Sequence, residues 1–123
     1  MAVTLTRYAT NLLNPQSIAF DSSGNLYVAN TDANSVVKIP SASGGTVGGA
    51  PTVVASGQSP AGVAVDSSNN VFTIFSNKSV IYKNNAVWFT DNKLGEATDI
   101  ACDSAGNVYV STLRNEVLRI TAS

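Results

Sequence analysis

The stretch PQSIAFDSSGNLYVANTDANSVVKI, residues 15–39, decides the reading of this chain, because it is written three times. It returns as PAGVAVDSSNNVFTIFSNKSVIYK at residues 60–83 and as ATDIACDSAGNVYVSTLRNEVLRI within residues 97–121. Each copy opens on a short alternating run, Ile18-Ala19-Phe20, Val63-Ala64-Val65 or Ile100-Ala101-Cys102. Period-two patterning with β-branched residues predicts a strand. The central alanine is the same each time, so one face of this strand takes only a methyl group while the other takes bulk. A strand near the axis of a radial array, where neighbouring sheets converge, has that need.

A polar turn follows in every copy, at Asp21-Ser22-Ser23-Gly24-Asn25, Asp66-Ser67-Ser68-Asn69-Asn70 and Asp103-Ser104-Ala105-Gly106-Asn107. An aspartate in that place can accept hydrogen bonds from backbone N–H groups two or more residues on. Gly24 and Gly106 stand where a left-handed backbone is wanted, and Asn69, the next most tolerant type, replaces them in the middle copy. Asp21, Asp66 and Asp103 are therefore assigned to structural turns. A calcium loop would want more carboxylates at close spacing.

Second and third strands are predicted at Leu26-Tyr27-Val28 and Val36-Val37-Lys38-Ile39, with counterparts in both other copies. Tyr27, Phe72 and Tyr109 hold one place and are expected to pack between sheets, any hydroxyl reaching the edge. An outer-type strand precedes each copy, at about residues 4–8, 52–55 and 86–90. The Gly/Ser-rich PSASGGTVGGAP, residues 40–51, reads as a loop and lengthens the first spacing. The three aspartates lie 45 and 37 residues apart, a period in the range of propeller blades. The fold class is all-β: a β-propeller of three four-stranded blades in one domain, residues 1–123, with no helix required.

Composition narrows the function. The chain has 123 residues, 44% hydrophobic and only 12% charged, about half the charge usual in soluble domains. Seven basic and eight acidic residues leave no basic stripe for a phosphate backbone, so a nucleic-acid partner is not expected. Histidine is absent, which removes Ser-His-Asp and Cys-His catalysis and His-ligated metals. A single cysteine, Cys102, permits no internal disulfide and reads as a small core residue. The N-terminus shows neither signal-peptide nor membrane-span patterning, so a cytoplasmic or virion location is expected, without a membrane partner.

The pattern Pro-x-x-Ile-Ala-x-Asp-x-x-Gly-Asn-x-Tyr-Val, followed by Asn and a Val/Ile strand, resembles the NHL repeat. Residues 15–39 match it closely; the second copy lacks the glycine, and the third has Ala97 in place of the proline. The resemblance implies four-stranded propeller blades. It extends distantly to six-bladed sugar-lactonase-type propellers, which bind a metal through Glu, Asn and Asp around the central channel.

Three blades are too few for a closed ring, which typically has 4 to 8. The expectation is a homodimer forming one six-bladed ring, with residues 4–8 completing the partner's third blade beside Val117–Ile120. A nine-bladed trimer and a fragment of a longer protein are the alternatives. Strand order gathers Gln16, Asn30, Asp32, Gln58, Asn77, Asp99, Arg114 and Asn115 at one end, the candidate channel-mouth binding face, together with Ser17 and Ser59. The function expected is a non-catalytic interaction or structural module, decorating a larger assembly such as a phage particle alongside other proteins, with no cofactor. One alternative is a glycan-binding propeller using Asn30, Asn77 and Asn115 with Trp88 or Tyr82 as a stacking surface. The other is a metal-dependent lactonase-like hydrolase drawing on Asp32, Glu96 and Asp99.

Overall fold

The alternating runs become eleven strands in the computed structural model, which describes residues 2–41 and 48–121. β1 (Pro15–Phe20), β2 (Leu26–Asn30), β3 (Ser35–Ile39) and β4 (Thr52–Ser56) form the first sheet in that order. β5 (Pro60–Val65), β6 (Val71–Phe75), β7 (Val80–Lys83) and β8 (Ala86–Thr90) form the second. β9 (Ala97–Cys102), β10 (Val108–Thr112) and β11 (Val117–Ile120) form the third. Neighbouring strands within each sheet run antiparallel. The chain is an all-β partial propeller whose blades coincide with the three sequence copies. Two short 3₁₀ turns, Thr31–Ala33 and Asn92–Glu96, are the helical exceptions among the described residues.

Because side chains alternate along a strand, each blade has two faces. The forward face of blade 1 carries Ala19, Tyr27, Ala29 and Val36, and packs with Ala55 on Val63, Val65 and Val71 of blade 2. The forward face of blade 2 carries Ala64, Phe72, Ile74 and Ile81, and packs on Ile100, Val108 and Val110 of blade 3, with Cys102, Leu118 and Ile120. The same repeat positions thus make the same junction twice. Ala19 and Ala64 lie on forward faces where inner strands converge, which accounts for the methyl-sized side chain. Gly62 marks that convergence: a Cβ there would sit 3.1 Å from both Asp99 Oδ1 and Ile100 Cγ2. Cys102 is half-buried in the second junction. Burial, and then the charges of Asp66 and Asp103, push its thiol up to about 11, so it is protonated near neutrality.

Among the described residues the third sheet has three strands, without the outer strand expected from a partner. Residues 4–8 form no strand in a single chain, and residues 2–7 are exposed, with Val3 at 94% and Leu5 at 97%. The sequence pattern made them an outer strand of a neighbouring blade. Immediately downstream, Tyr8, Ala9 and Leu12 pack on Val28, Val37 and Ile39, the rear face of blade 1. The Gly/Ser-rich loop lies in part outside the described residues.

Candidate functional site

Each aspartate turn is closed by one carboxylate. Asp103 Oδ1 accepts from the N–H groups of Ala105 and Asn107, both at 2.9 Å. Its Oδ2 accepts from Asn107 Nδ2 and the Tyr109 hydroxyl, also at 2.9 Å. Asp21 repeats the set with Ser23, Asn25 and Tyr27. Asp66 does so with Ser68 and Asn70, and Phe72 offers no hydroxyl there. The Asn107 side chain and N–H, with Tyr109 and Ala105 assisting against a small burial effect, hold the Asp103 carboxyl down at about 2. Burial pushes Asp21 and Asp66 upward, but the donors of Asn25 and Asn70 lead a set that outweighs it, and both end below the usual range. Gly24 and Gly106 have φ of +80° and +88°, and Asn69 has +63°. This end of the blades is a framework of saturated turns.

The opposite end is the channel mouth, and its eight candidates divide into different roles. Gln16 and Gln58 are exposed at the entrances to β1 and β5. Asn30 is only 6% exposed, and its Oδ1 accepts from the Leu13 N–H at 2.7 Å. That places it as an internal brace. Asp32 is exposed in the first 3₁₀ turn, 3.4 Å from Asn14 Nδ2. Asn77 and Asn115 occupy the left-handed region at φ +62° and +64° in the β6–β7 and β10–β11 loops. Among the described residues, eight of the nine non-glycine residues with positive φ are asparagines, so the amide-rich loops are first a device for tight turns. Arg114 is exposed and paired with Glu96 through Nε and Oε2 at 2.6 Å.

The inner strands bring one further group together. Ser17 Oγ on β1 accepts from the Val63 N–H on β5 at 3.1 Å and donates toward Asp99 Oδ1 on β9 at 3.3 Å. This serine ties three blades at the channel wall, a role that no local pattern around residue 17 announces. Thr31, also unremarked in the sequence, donates its hydroxyl to the Pro60 carbonyl at 2.8 Å and joins blades 1 and 2. Asn69 and Ser22 do the same between adjacent turns, at 2.7 and 2.9 Å.

The three carboxylates available to a metal are separately engaged: Glu96 by Arg114, Asp32 by Asn14 and Asp99 by Ser17. Among the described residues, no group of three or more acidic or cysteine side chains stands close enough to hold an ion. The residues present do not fit the metal centre that a lactonase-type resemblance implies. The aromatic candidates are also occupied. Trp88 is half-buried edge-on to Phe72 with centroids 5.1 Å apart, and Tyr82 is edge-on to Phe75 at 5.4 Å. Among the described residues, no helix is long and apolar enough to cross a membrane.

Comparison with known proteins agrees with this architecture. Residues 6–34 match the family described as Beta-propeller repeat. No curated protein matches the chain. Among solved structures, a protein described as a gluconolactonase superposes with a TM-score of 0.74 at 16% identity, over 94% of this chain and 41% of that one. Regucalcin from Agrobacterium tumefaciens, described as a calcium-binding protein, gives 0.64 at 16% identity, over 83% and 39%. Virginiamycin B lyase from Staphylococcus aureus gives 0.62 at 12% identity, over 86% and 40%. The chain spans about two fifths of the length of these structures. The likeness shows the fold, a β-propeller-repeat architecture.

Proposed function

We propose that this chain is a non-catalytic β-propeller interaction module that works by association through the open faces of its first and third blades. One observation carries the reading. Beyond the part of blade 1's rear that Tyr8, Ala9 and Leu12 cover, several residue positions buried at both internal junctions recur exposed on these two faces. On the rear of blade 1, Ile18 and Phe20 are 64% and 61% exposed, although Val63 and Ile100, the counterparts of Ile18, are 2% and 5% exposed. On the front of blade 3, Val117 is 67% exposed where its counterparts Val36 and Ile81 are fully buried. Ala101, Tyr109 and Ser111 share that face. Large apolar side chains gathered on two flat sheet faces favour association.

The absence of histidine and the separate engagement of Glu96, Asp32 and Asp99 support a binding role over a hydrolytic one. The polar channel-mouth loops around Gln16, Gln58 and Asp32 then form the surface that an assembled ring presents. Sedimentation equilibrium of the wild type beside Phe20→Lys and Val117→Lys tests the reading. Association that each lysine weakens supports it. A folded chain that stays single at every concentration refutes it.

A further inference from the structure

We infer that the partner is a second copy of this chain, and that residues 4–8 of each copy add as the fourth strand to the free β11 edge of the other. The inference rests on the association reading above and adds the identity of the partner and the register.

The first support is a structural equivalence upstream of blade 1. Six residues, 91–96, connect β8 to β9; six residues, 9–14, separate residue 8 from Pro15 at the start of β1. In the first connection, Leu94 lies three residues before Ala97 and is 1% exposed in the junction with blade 3. In the second, Leu12 lies three residues before Pro15 and packs on Val28, Val37 and Ile39 of blade 1. Leu12 and Leu94 thus hold equivalent places before their inner strands, although residues 92–96 form a 3₁₀ turn and residues 9–14 pass through left-handed Asn11 and Asn14 instead. Residues 4–8 then correspond to 86–90, which is β8, the outer strand of the preceding blade. Among the described residues no blade precedes the first.

The second support is the open edge at the other end of the array. β11 pairs with β10 and has no further partner among the described residues, whereas the corresponding β3 and β7 are covered by β4 and β8. Beside β11 lies a cavity of about 160 Å³ lined by Phe89, Leu94, Leu118, Arg119 and Ile120, next to the outer strand of blade 2. An open edge of this kind favours strand addition.

The third support is closure. The described residues form three blades, and rings hold 4 to 8; two copies of these three make six and three make nine. Two copies therefore close the ring, with two identical junctions related by a two-fold axis. Each junction sets Ala101, Tyr109, Ser111 and Val117 against the partner's Ile18, Phe20 and Leu26. The register follows blade 2, where Lys83 pairs with Ala86 and Tyr82 with Val87. Transferred by repeat position, Arg119 pairs with Thr4 of the partner subunit and Leu118 with Leu5 of the partner subunit.

The test is a cross-link at that register. In a Cys102→Ser background, Thr4→Cys with Arg119→Cys is expected to form a disulfide-linked pair of chains under mild oxidation, since opposed positions in antiparallel strands are within bridging distance. Thr4→Cys with Lys38→Cys, whose edge β4 already covers, is expected to stay single. In parallel, Leu5→Pro/Thr6→Pro removes the N–H groups that the added strand needs. It is expected to weaken association at least about tenfold, while the exposed position of these residues leaves the fold of the single chain intact. Association that persists with no cross-link and no effect of the prolines overturns strand exchange and leaves the association reading standing. A wild type that associates as a trimer overturns the two-copy ring. A wild type that never associates overturns both.

Discussion

Ile18 and Ile100 hold the same place in the repeat, so truncating each to alanine separates an isolated array from a closed ring. Ile100 is 5% exposed inside the chain, and Ile100→Ala is expected to cost about 2–5 kcal/mol of unfolding free energy in either case. Ile18 is 64% exposed in the single chain. If it stays so, Ile18→Ala is a surface change within about 0.5 kcal/mol. In the ring, that exposed fraction becomes buried. Complete burial of an isoleucine is worth about 1.5–3 kcal/mol, so the gain on closure is about 1–2 kcal/mol per copy. With two junctions per ring, Ile18→Ala removes about 2–4 kcal/mol from association, or about 30- to 700-fold in the dissociation constant. The assay is urea unfolding at several protein concentrations, together with sedimentation equilibrium. Association unchanged by Ile18→Ala, with unfolding midpoints independent of concentration, refutes the reasoning.

Three further outcomes are expected. Thr73 Oγ1 is buried and finds no hydrogen-bond partner among the described residues, while Val28 and Val110 hold the same repeat position; Thr73→Val should raise stability by up to about 1–2 kcal/mol in urea unfolding, and a loss contradicts the assignment. Gly106 sits at φ +88° with open space where a methyl group would stand, so Gly106→Ala should cost about 1–2 kcal/mol of backbone strain and Gly106→Asn distinctly less; equal costs contradict this reading of the turn. The turn carboxylates titrate lower when folded, Asp103 falling from 3.8 to about 2 with Asp21 and Asp66 shifted the same way. Their contribution is therefore full above about pH 4 and lost as the pH falls toward 2; a urea midpoint that stays flat from pH 4 to 2 contradicts it.

How much of this was legible in the sequence depended on how local each cause is. The turn positions Asp21, Gly24 and Asn69 were readable because a carboxylate, a glycine and an asparagine act on backbone only a few residues away. The alanines Ala19, Ala64 and Ala101 suggested crowding by repetition; the structure places Ala19 and Ala64 in the junctions where inner strands meet, while Ala101 is exposed on the open face of blade 3. The candidate face was readable only as a set of residues sharing one end. Asn30 belongs to the interior because its partner, the Leu13 N–H, lies 17 residues away, and no spacing rule connects the two. Ser17 meets Asp99 across 82 residues, a contact that exists only once three blades converge. The likeness of Leu12 to Leu94 was hidden because residues 9–14 and 91–96 share length but little sequence, and reach it by different backbone turns.

Whether this three-blade array is closed by a second copy is decided most directly by the solution mass of the unmodified chain, measured by light scattering over a range of concentrations. Closure predicts a species of twice the mass of one chain that dissociates only on dilution. A stable, fully folded species of single-chain mass throughout that range contradicts it.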